Sequence, residues 1–450
     1  MKVALFLPNW IGDLVMATPA IRALRHQYPS ATFIGICKPY VAPTLDGSTW
    51  FDRMLFLGGK GRGWFSVARE LRRERLDLAV LFPNSFRSAW VSWLAGAKRI
   101  VGYDRYLRGW MLTDRLHATR DEKGGFKPMP IIDDYNKLAE VAGCPNPGYR
   151  MELFTTPSDE QAADEVWHRH SFDAHRETVC LNPGAAFGAA KYWQAEHFAK
   201  VAQNLTDQRD AQVLVLCGPS EREMANRIAA LADRPRVKSL ADAPLSLGLT
   251  KAIVKRSTLL ITTDSGPRHF AAAFDRPVVS LFGPTHIEWT ETYFAKAIHL
   301  QKKVPCGPCQ LRVCPTDHRC MKELTPAEVY QAAGLLGCRV PLGEAGMLAS
   351  RFTATRNGYD STQCDRNSSA PMPPLRVAVN QCGSYRLQRL PTPWRDRKLS
   401  ARERCSTRSC PSAEIELQGA ATPSRRLFSR LGLWVPRRTA ARRQPVEIES

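Results

Sequence analysis

The first 345 residues alternate short apolar runs with segments that carry apolar residues at helical spacing. This alternation predicts strands followed by helices, and therefore a doubly wound α/β architecture. One series of predicted elements begins with the apolar run 3–8 and ends with a helix at 133–144. A second series begins with a strand at 178–184 and ends with a helix at 325–337. The pattern predicts two α/β domains of similar size.

The segment 150–176 between the two series is rich in turn-forming residues and is interpreted as the domain boundary. The predicted domains therefore span 1–165 and 176–340. Beyond about residue 346, Ser, Thr, Arg, Pro and Gln dominate and apolar residues show no sustained period. Residues 346–450 are predicted to form a basic and mostly disordered tail.

The chain has 450 residues and a formal net charge of +20, and more than half of this excess lies in the predicted tail. The overall charge is thus weak evidence for nucleic-acid binding by the folded part. No run of apolar residues is long enough to predict a transmembrane helix. The apolar N-terminus is short and runs into Asp13, which favours a buried first strand over a signal peptide.

The sequence TTDSGPRHF lies where a predicted strand ends and a helix begins. Exposed N–H groups and the dipole at a helix start suit phosphate oxygens, and a glycine there lets a ligand approach closely. The alternative is that Asp264 or Ser265 only caps the helix. The candidate ligand-binding residues of this loop are Thr262, Asp264, Ser265, Gly266 and His269.

Two further loops of the second series follow strands in the same way. In NPGAAFGAAKYW, Lys191 is a candidate partner for a diphosphate, or alternatively a surface residue on a tight loop. In CGPSEREMA, Glu221 or Glu223 could accept hydrogen bonds from ribose hydroxyls, or could interact only with the helix dipole. Three such loops in one domain predict a nucleotide site.

In the first series, Gly12 and Asp13 stand at the first strand-to-helix transition. A carboxylate at that edge of the sheet suits a general base, and the apolar neighbours are expected to raise its pKa. The alternative is a helix cap. Lys60 and Arg62 on a Gly-rich loop, and Arg87 after another strand, are candidates for binding an anionic acceptor.

A cysteine cluster follows the last predicted strand of the second series. Cys306 and Cys309 have zinc-knuckle spacing, and Cys314 and Cys320 follow, so a structural zinc is one interpretation. Free thiols and disulfides are the alternatives. A zinc-bearing nucleic-acid-binding protein is the competing function class, but no recognition helix or aromatic interleaving is present. Nucleic acid is therefore not an expected partner.

Several motifs together resemble one family of enzymes. PNWIGDLVMATPAIRALR, FPNSFRSA, AGAKRIVGY, LNPGAAFGAAKYW, TTDSGPRHFAAA and CGPCQLRVCPTDHRCMKELTPAEV are similar to the ADP-heptose:lipopolysaccharide heptosyltransferases of glycosyltransferase family 9, most of all the heptosyltransferase II type. The resemblance covers residues 1–340. It implies a GT-B fold, in which two Rossmann-like domains face an interdomain cleft: an acceptor-binding N-terminal domain and a donor-binding C-terminal domain.

The resemblance also implies a reaction and its residues. L-glycero-D-manno-heptose would pass with inversion from ADP-heptose to a heptose of the anionic lipopolysaccharide inner core, without a required cofactor. Asp13 would be the base, Lys191 would contact the donor phosphates, Glu221 the ribose or adenosine, and the loop from Thr262 to His269 the donor. The expected location is the cytoplasm, peripheral to the inner membrane. A family 9 transferase with a different acceptor is the nearest alternative.

Overall fold

The computed structural model describes residues 1–58, 63–120, 122 and 124–337, together with the backbone of 375–379 and 385–389. The elements of the first half are β1 (Lys2–Phe6), α1 (Ile11–Met16), α2 (Thr18–Gln27), β2 (Thr32–Cys37), β3 (Arg53–Phe56), α3 (Trp64–Glu74), β4 (Leu78–Leu81), α4 (Phe86–Leu94), β5 (Arg99–Tyr103), β6 (Asp114–Leu116) and α5 (Ile131–Val141).

The elements of the second half are α6 (Pro157–Arg169), β7 (Thr178–Asn182), α7 (Ala195–Arg209), β8 (Gln212–Val215), α8 (Arg222–Ala232), β9 (Val237–Ser239), α9 (Leu247–Arg256), β10 (Leu259–Thr263), α10 (Gly266–Ala273), β11 (Val278–Phe282), β12 (Ala297–Gln301), α11 (Arg319–Lys322) and α12 (Pro326–Gly337).

The two halves have the same sheet topology. The first sheet has the order β3-β2-β1-β4-β5-β6, and the second has the order β9-β8-β7-β10-β11-β12. Every strand pair in both sheets is parallel. Each sheet therefore has the doubly wound order that reverses direction between its first and fourth strands, where ligands of such sheets bind. The predicted α/β class is confirmed.

Parallel strands that are covered by helices on both faces are continuous apolar runs, and these strands follow that rule. Residues 3–6 of β1 and the whole of β10 are buried. Helices α3 and α4 cover one face of the first sheet, where Val67, Leu71 and Ala89 belong to a separate apolar cluster. The predicted buried first strand lies at the centre of its sheet, next to β2 and β4.

The segment predicted as a turn-rich boundary contains a helix, α6, and this part of the prediction is wrong. Its turn-forming residues are helix-start signals: Thr156 and Asp159 form a capping box with Pro157 in the first turn. Glu160 of α6 forms an ion pair with Lys255 of α9 at 2.7 Å. Helix α6 therefore packs on the second half, and where one domain ends and the next begins stays a prediction.

Short elements were missed for a different reason. The sequence predicted no strand at β6, β9 or β12 and no helix at α4. Strands β6 and β9 have only three residues and include charged ones, and β12 has a histidine at its centre, so these strands lack the continuous apolar run that marks the predicted strands. At the other end of the second half, the helix predicted at 325–337 is confirmed as α12, and Thr325 and Glu328 cap its start by exchanging backbone and side-chain hydrogen bonds.

In the region predicted as a disordered tail, the structure describes two antiparallel strands, β13 (Leu375–Val379) and β14 (Tyr385–Arg389). The sequence analysis did not predict them, and the rest of 346–450 lies outside the described residues. Across the part of the chain that is described, no helix is long and apolar enough to cross a bilayer.

Candidate active site

The site lies where two helix starts meet, each at the switch point of its sheet. Helix α1 follows β1, and helix α10 follows β10. A methyl group on Gly12 would lie 2.8 Å from Cδ2 of His269, and one on Gly266 would lie 3.3 Å from Cγ2 of Ile11. Because neither position leaves room for an unstrained side chain, glycine lets the backbones of the two halves approach closely. The two sequence motifs therefore form one site.

Asp13 lies in the first turn of α1 and is partly buried. Burial raises the pKa of its carboxyl, the nearby Asp264 adds to the rise and Lys191 opposes it, and together these effects bring the pKa to about 6. The rise in pKa agrees with the expectation from the sequence, although the neighbouring apolar residue Trp10 is half exposed. A carboxylate with a pKa near the working pH is suited to accept a proton from an attacking hydroxyl.

Lys191 and Asp264 form a buried ion pair beside Asp13. The Nζ atom of Lys191 donates to Oδ2 of Asp264 at 2.5 Å and to its backbone carbonyl at 3.0 Å. Thr285 donates a further hydrogen bond to the same carboxylate oxygen at 2.8 Å. Burial alone would raise the pKa of the Asp264 carboxyl, but Lys191, Arg268 and Thr285 together hold it below its usual value. Lys191 is only 7% exposed, so its interpretation as a surface lysine is wrong.

The start of α10 has no side-chain cap, which gives the capping interpretation of its sequence no support. Ser265 occupies the capping position without a hydrogen bond to the helix backbone. Its hydroxyl is instead bonded to Asn182, at 2.8 Å, and to Thr262, at 3.1 Å. Asn182 also donates to Thr262 at 2.9 Å. Since the side chains are occupied elsewhere, the first N–H groups of α10 remain available to an anion.

His269 is buried in the first turn of α10. Burial lowers the pKa of its ring well below the usual value, and the adjacent Arg268 lowers it further. Nε2 of His269 therefore accepts a hydrogen bond from Nε of Arg268 at 3.2 Å. The neutral ring packs against Gly12, so His269 contributes contact between the halves rather than a positive charge.

Glu221 lies over the loop that leads to Lys191. Its carboxylate accepts a hydrogen bond from the backbone of Gly218 at 2.9 Å. A methyl group on Gly184 would lie 2.2 Å from Oε2 of Glu221, so carboxylate and loop are in contact. Glu223 is exposed on α8. Of the two glutamates considered from the sequence, Glu221 is the one that reaches the loop.

On the first half, only one of the three predicted acceptor-binding residues can be placed. Lys60 and Arg62 lie outside the described residues. Arg87 is exposed in the first turn of α4, and its guanidinium lies 5.7 Å from the centre of the Trp64 ring. Helix α4 follows β4, the neighbour of β1, so Arg87 and Asp13 belong to the same edge of the sheet.

Arg108, which was not predicted from the sequence, shapes that edge. Its side chain is buried and donates to the carbonyl groups of Pro83 at 2.6 Å and Ser85 at 3.1 Å, and to Oδ1 of Asn84 at 2.9 Å. Burial lowers the pKa of the guanidinium to about 10. Because Arg108 satisfies these loop acceptors, it fixes the segment that leads into Arg87. Asn182 and Thr285 were also missed, since a lone amide or hydroxyl carries no sequence pattern.

The cysteine-rich segment supports the Lys191 loop. The backbone N–H of Ala190 donates to the carbonyl of Arg312 at 3.0 Å, and Nε2 of His318 is 2.7 Å from the carbonyl of Ala190. A methyl group on Gly188 would lie 2.4 Å from the carbonyl oxygen of Arg312. The segment therefore packs tightly on the loop, a role that the cysteine spacing did not reveal.

The cysteines themselves show no metal centre within the described residues, where no group of three or more His, Cys, Asp or Glu side chains is arranged to hold an ion. Cys306, Cys309, Cys314 and Cys320 are free thiols. Burial raises the pKa of Cys320 to about 11, with Cys314 adding to the rise. The geometry gives the zinc interpretation no support and favours the alternative of free thiols over disulfides.

Two doubly wound sheets with facing loops at their switch points define an α/β protein of the GT-B class. The model of glycosyltransferase family 9 (heptosyltransferase) matches residues 64–319, and the chain belongs to this family. It is therefore a glycosyltransferase, as the sequence motifs predicted.

Individual relatives agree with this assignment. Lipooligosaccharide heptosyltransferase 2 of Campylobacter jejuni is 29% identical over 74% of this chain and 97% of its own length. The solved ADP-heptose lps heptosyltransferase II of E. coli is 25% identical and matches with a TM-score of 0.60, over 75% of this chain and 98% of its own. An E. coli heptosyltransferase solved with ADP-2-deoxy-2-fluoro heptose is 18% identical and has the same fold, with a TM-score of 0.53 over 74% of this chain and 99% of its own.

Proposed function

We propose that the chain transfers L-glycero-D-manno-heptose from ADP-heptose to a heptose of the lipopolysaccharide inner core, with inversion at the anomeric carbon. Its similarity to lipooligosaccharide heptosyltransferase 2 and to ADP-heptose lps heptosyltransferase II supports the sugar and the acceptor class. The observation that carries the proposal is the uncapped start of α10, which meets a carboxylate of raised pKa, Asp13, across the contact between the halves.

In this proposal, one half binds the donor and the other binds the acceptor. The predicted C-terminal domain, 176–340, would bind the donor through the start of α10, Lys191 and Glu221. The predicted N-terminal domain, 1–165, would bind the acceptor, with Arg87 next to phosphate groups of the core. Lys60 and Arg62 remain predicted acceptor contacts on sequence grounds alone.

In the proposed reaction, an acceptor hydroxyl attacks the anomeric carbon of the heptose as Asp13 accepts its proton. The new glycosidic bond forms on the face opposite the bond to the diphosphate, which breaks, and ADP leaves with the electron pair. The N–H groups at the start of α10 and the ammonium of Lys191 would stabilise the added negative charge. Asp13 then releases its proton to solvent, which restores the base.

The ion pair with Asp264 refines the role of Lys191. A lysine that is already paired contributes less net charge than a free one, but it is held in a fixed place. Asp264 and Thr285 fix the ammonium beside the helix start, so little conformational entropy is lost when the diphosphate binds. We therefore propose that Asp264 positions Lys191, and that the donor phosphates share the ammonium with it.

We also propose that transfer requires no added metal ion, because the helix start and Lys191 would meet the charge of the leaving group. Activity in EDTA equal to that with magnesium is the expected result. Strict dependence on added magnesium would contradict this assignment of leaving-group stabilisation.

The proposed acceptor is joined to lipid, so we propose that the enzyme works in the cytoplasm at the surface of the inner membrane. Anionic lipid attracts a basic protein at close range, and the net charge of the chain is +20. Contact would be peripheral.

The decisive experiment is a donor and acceptor screen read by mass spectrometry. The full chain is incubated with ADP-heptose or competing nucleotide sugars and with core acceptors that carry one, two or no heptoses. We expect one heptose to be added, from ADP-heptose only, to an acceptor that already carries heptose. Transfer to the acceptor without heptose would instead favour the alternative of a family 9 enzyme with a different acceptor. An Asp13→Asn preparation serves as the inactive control.

A further inference from the structure

Helices α3 and α4, together with Trp110 in the segment between β5 and β6, carry several exposed aromatic rings on the first half. Phe65 is 71% exposed, Trp110 58% and Trp93 48%. The rings of Phe65 and Trp90 lie 4.7 Å apart between their centroids, and those of Trp93 and Trp110 lie 5.4 Å apart, both pairs edge to face. We call Phe65, Phe86, Trp90, Trp93 and Trp110 the aromatic ridge.

Arginines lie beside the ridge on α3. Arg69, Arg72 and Arg73 follow Phe65 by four, seven and eight residues, so all four side chains share one side of the helix. All three arginines are exposed. No carboxylate of the described chain forms an ion pair with Arg69 or Arg73 in the structure, while Arg72 donates to the carbonyl of Leu94 at 3.3 Å. We call these three arginines the basic flank.

Four rings of the ridge are exposed, and Trp90 is the ring among the five that packs partly against the core beneath them. The opposite sides of the same helices already supply buried residues, Val67 and Leu71 from α3 and Ala89 and Val91 from α4. Exposed apolar residues that occur singly are ordinary, but a contiguous exposed row indicates a surface that is covered in use. Tryptophan rings favour the boundary between lipid headgroups and acyl chains, and arginine is attracted to anionic headgroups. The charge and the ring type together fit an anionic bilayer.

We propose that the aromatic ridge and the basic flank dock the enzyme on the surface of an anionic phospholipid bilayer. This inference rests on the proposed function, which gives the enzyme a lipid-linked acceptor. Phe86 opens α4 directly after β4, and β4 is paired with β1, which leads to Asp13. Docking through the ridge therefore brings the edge of the sheet that carries the proposed base to the plane in which the acceptor lies.

The test uses the full chain and vesicles of phosphatidylcholine with or without phosphatidylglycerol. Binding is measured by co-sedimentation for the wild type, for Trp93→Ser with Trp110→Ser, and for Arg69→Gln with Arg73→Gln. The matched control is Lys200→Gln with Lys322→Gln, which removes the same charge from exposed positions of the second half. We expect the arginine pair to weaken binding to phosphatidylglycerol vesicles about thirtyfold and the tryptophan pair about tenfold. The control should bind like the wild type.

If the tryptophan pair and the arginine pair both bind vesicles as the wild type does, the proposal is overturned. An equal loss of binding in the lysine control would also overturn it. Light scattering without vesicles tests whether a second copy of the chain covers the ridge. A dimer that the tryptophan substitutions dissociate would assign the surface to that contact and overturn the membrane assignment.

Activity separates this inference from the proposed function. The tryptophan pair and the arginine pair should both transfer sugar normally to a water-soluble, deacylated acceptor. They should lose transfer to the corresponding acylated acceptor embedded in vesicles. If the wild type modifies neither acceptor, the proposed function fails, while the vesicle-binding result still decides the docking surface by itself.

Discussion

The two halves share one strand order but differ in what they present to their surroundings. In the described part of the chain, the well-exposed aromatic side chains all lie before residue 150, whereas the exposed large apolar side chains of the second half are aliphatic, as at Leu231 and Leu335. At the shared site, the first half supplies a carboxylate with a raised pKa, and the second supplies an uncapped helix start with a buried lysine. We therefore propose that the same backbone topology supports proton transfer and membrane contact in the first half and anion binding in the second.

The largest expected effect is on the rate of transfer, for which the first half is proposed to supply the base. Asp13→Asn should reduce the rate of transfer by about 10²–10⁴-fold, because it removes the base but keeps the shape of the side chain. Calorimetry should find ADP affinity close to that of the wild type, since ADP is proposed to bind the other half. A large loss of ADP affinity would show that Asp13, in the first half, also contributes to binding ADP.

The complementary change, Lys191→Met, removes the buried ammonium group of the second half. Lys191→Met leaves Asp264 buried without its main partner, so the free energy of unfolding should fall by about 3–5 kcal/mol. ADP affinity should fall by about 10–100-fold, measured at a temperature where the variant is still folded.

A paired substitution separates these two effects of Lys191. Lys191→Met with Asp264→Asn should recover part of the stability, since the buried carboxylate that lost its lysine is removed although Arg268 loses a carboxylate partner at 3.9 Å, but it should not recover the ADP affinity. Full recovery of ADP affinity in the double variant would exclude Lys191 as a phosphate contact.

The close contact between α1 and α10 can be weakened by adding one methyl group at Gly12. Gly12→Ala places a methyl group 2.8 Å from Cδ2 of the buried His269 ring, so α1 and α10 must separate. We expect a loss of about 1–3 kcal/mol in unfolding free energy and a fall in kcat with little change in ADP affinity. Gly334→Ala controls for a general effect of replacing a helical glycine, since Gly334 lies within α12 and nothing described lies within 4 Å of its added methyl group. Unchanged kcat in Gly12→Ala would show that the close approach is unnecessary.

The smallest expected effect concerns the free energy of unfolding, which is lowered when the buried carboxyl of Asp13 ionises. Its pKa is about 6 in the folded protein and near 3.8 otherwise, so the folded state binds the proton more tightly. The stabilising effect of this proton is therefore complete below pH 4 and is lost as the pH rises through about 6. At pH 7, Asp13→Asn should stabilise the fold by about 1–2 kcal/mol, after allowance for partial exposure, and this gain should disappear near pH 4.

The same pKa predicts how activity depends on pH. For the wild type, kcat/KM should rise as the pH increases through about 6, because only the ionised carboxylate accepts a proton. A profile that is flat between pH 5 and 8 would contradict the assignment of Asp13 as the base.

The sequence determined the class of fold and most of the candidate site. Apolar runs as in β1 and β10 predict buried parallel strands because such strands are apolar on both faces. Loops that follow strands gather at one edge of a parallel sheet, so Asp13, Lys191, Glu221 and the start of α10 could be named from local patterns. Helix α6 was mistaken for a boundary because proline, serine and aspartate favour both turns and helix starts, and only the packing of α6 on α9 decides between them.

Only the tertiary structure decided how these residues act. It pairs Lys191 with Asp264, turns the Ser265 hydroxyl away from the helix start, and makes His269 neutral by burial. Each of these outcomes depends on a partner or a degree of burial that distant parts of the chain create. Local pattern fixes where an element begins and which face it buries, whereas pKa values, ion pairs and the exposure of the aromatic ridge depend on what packs around each group.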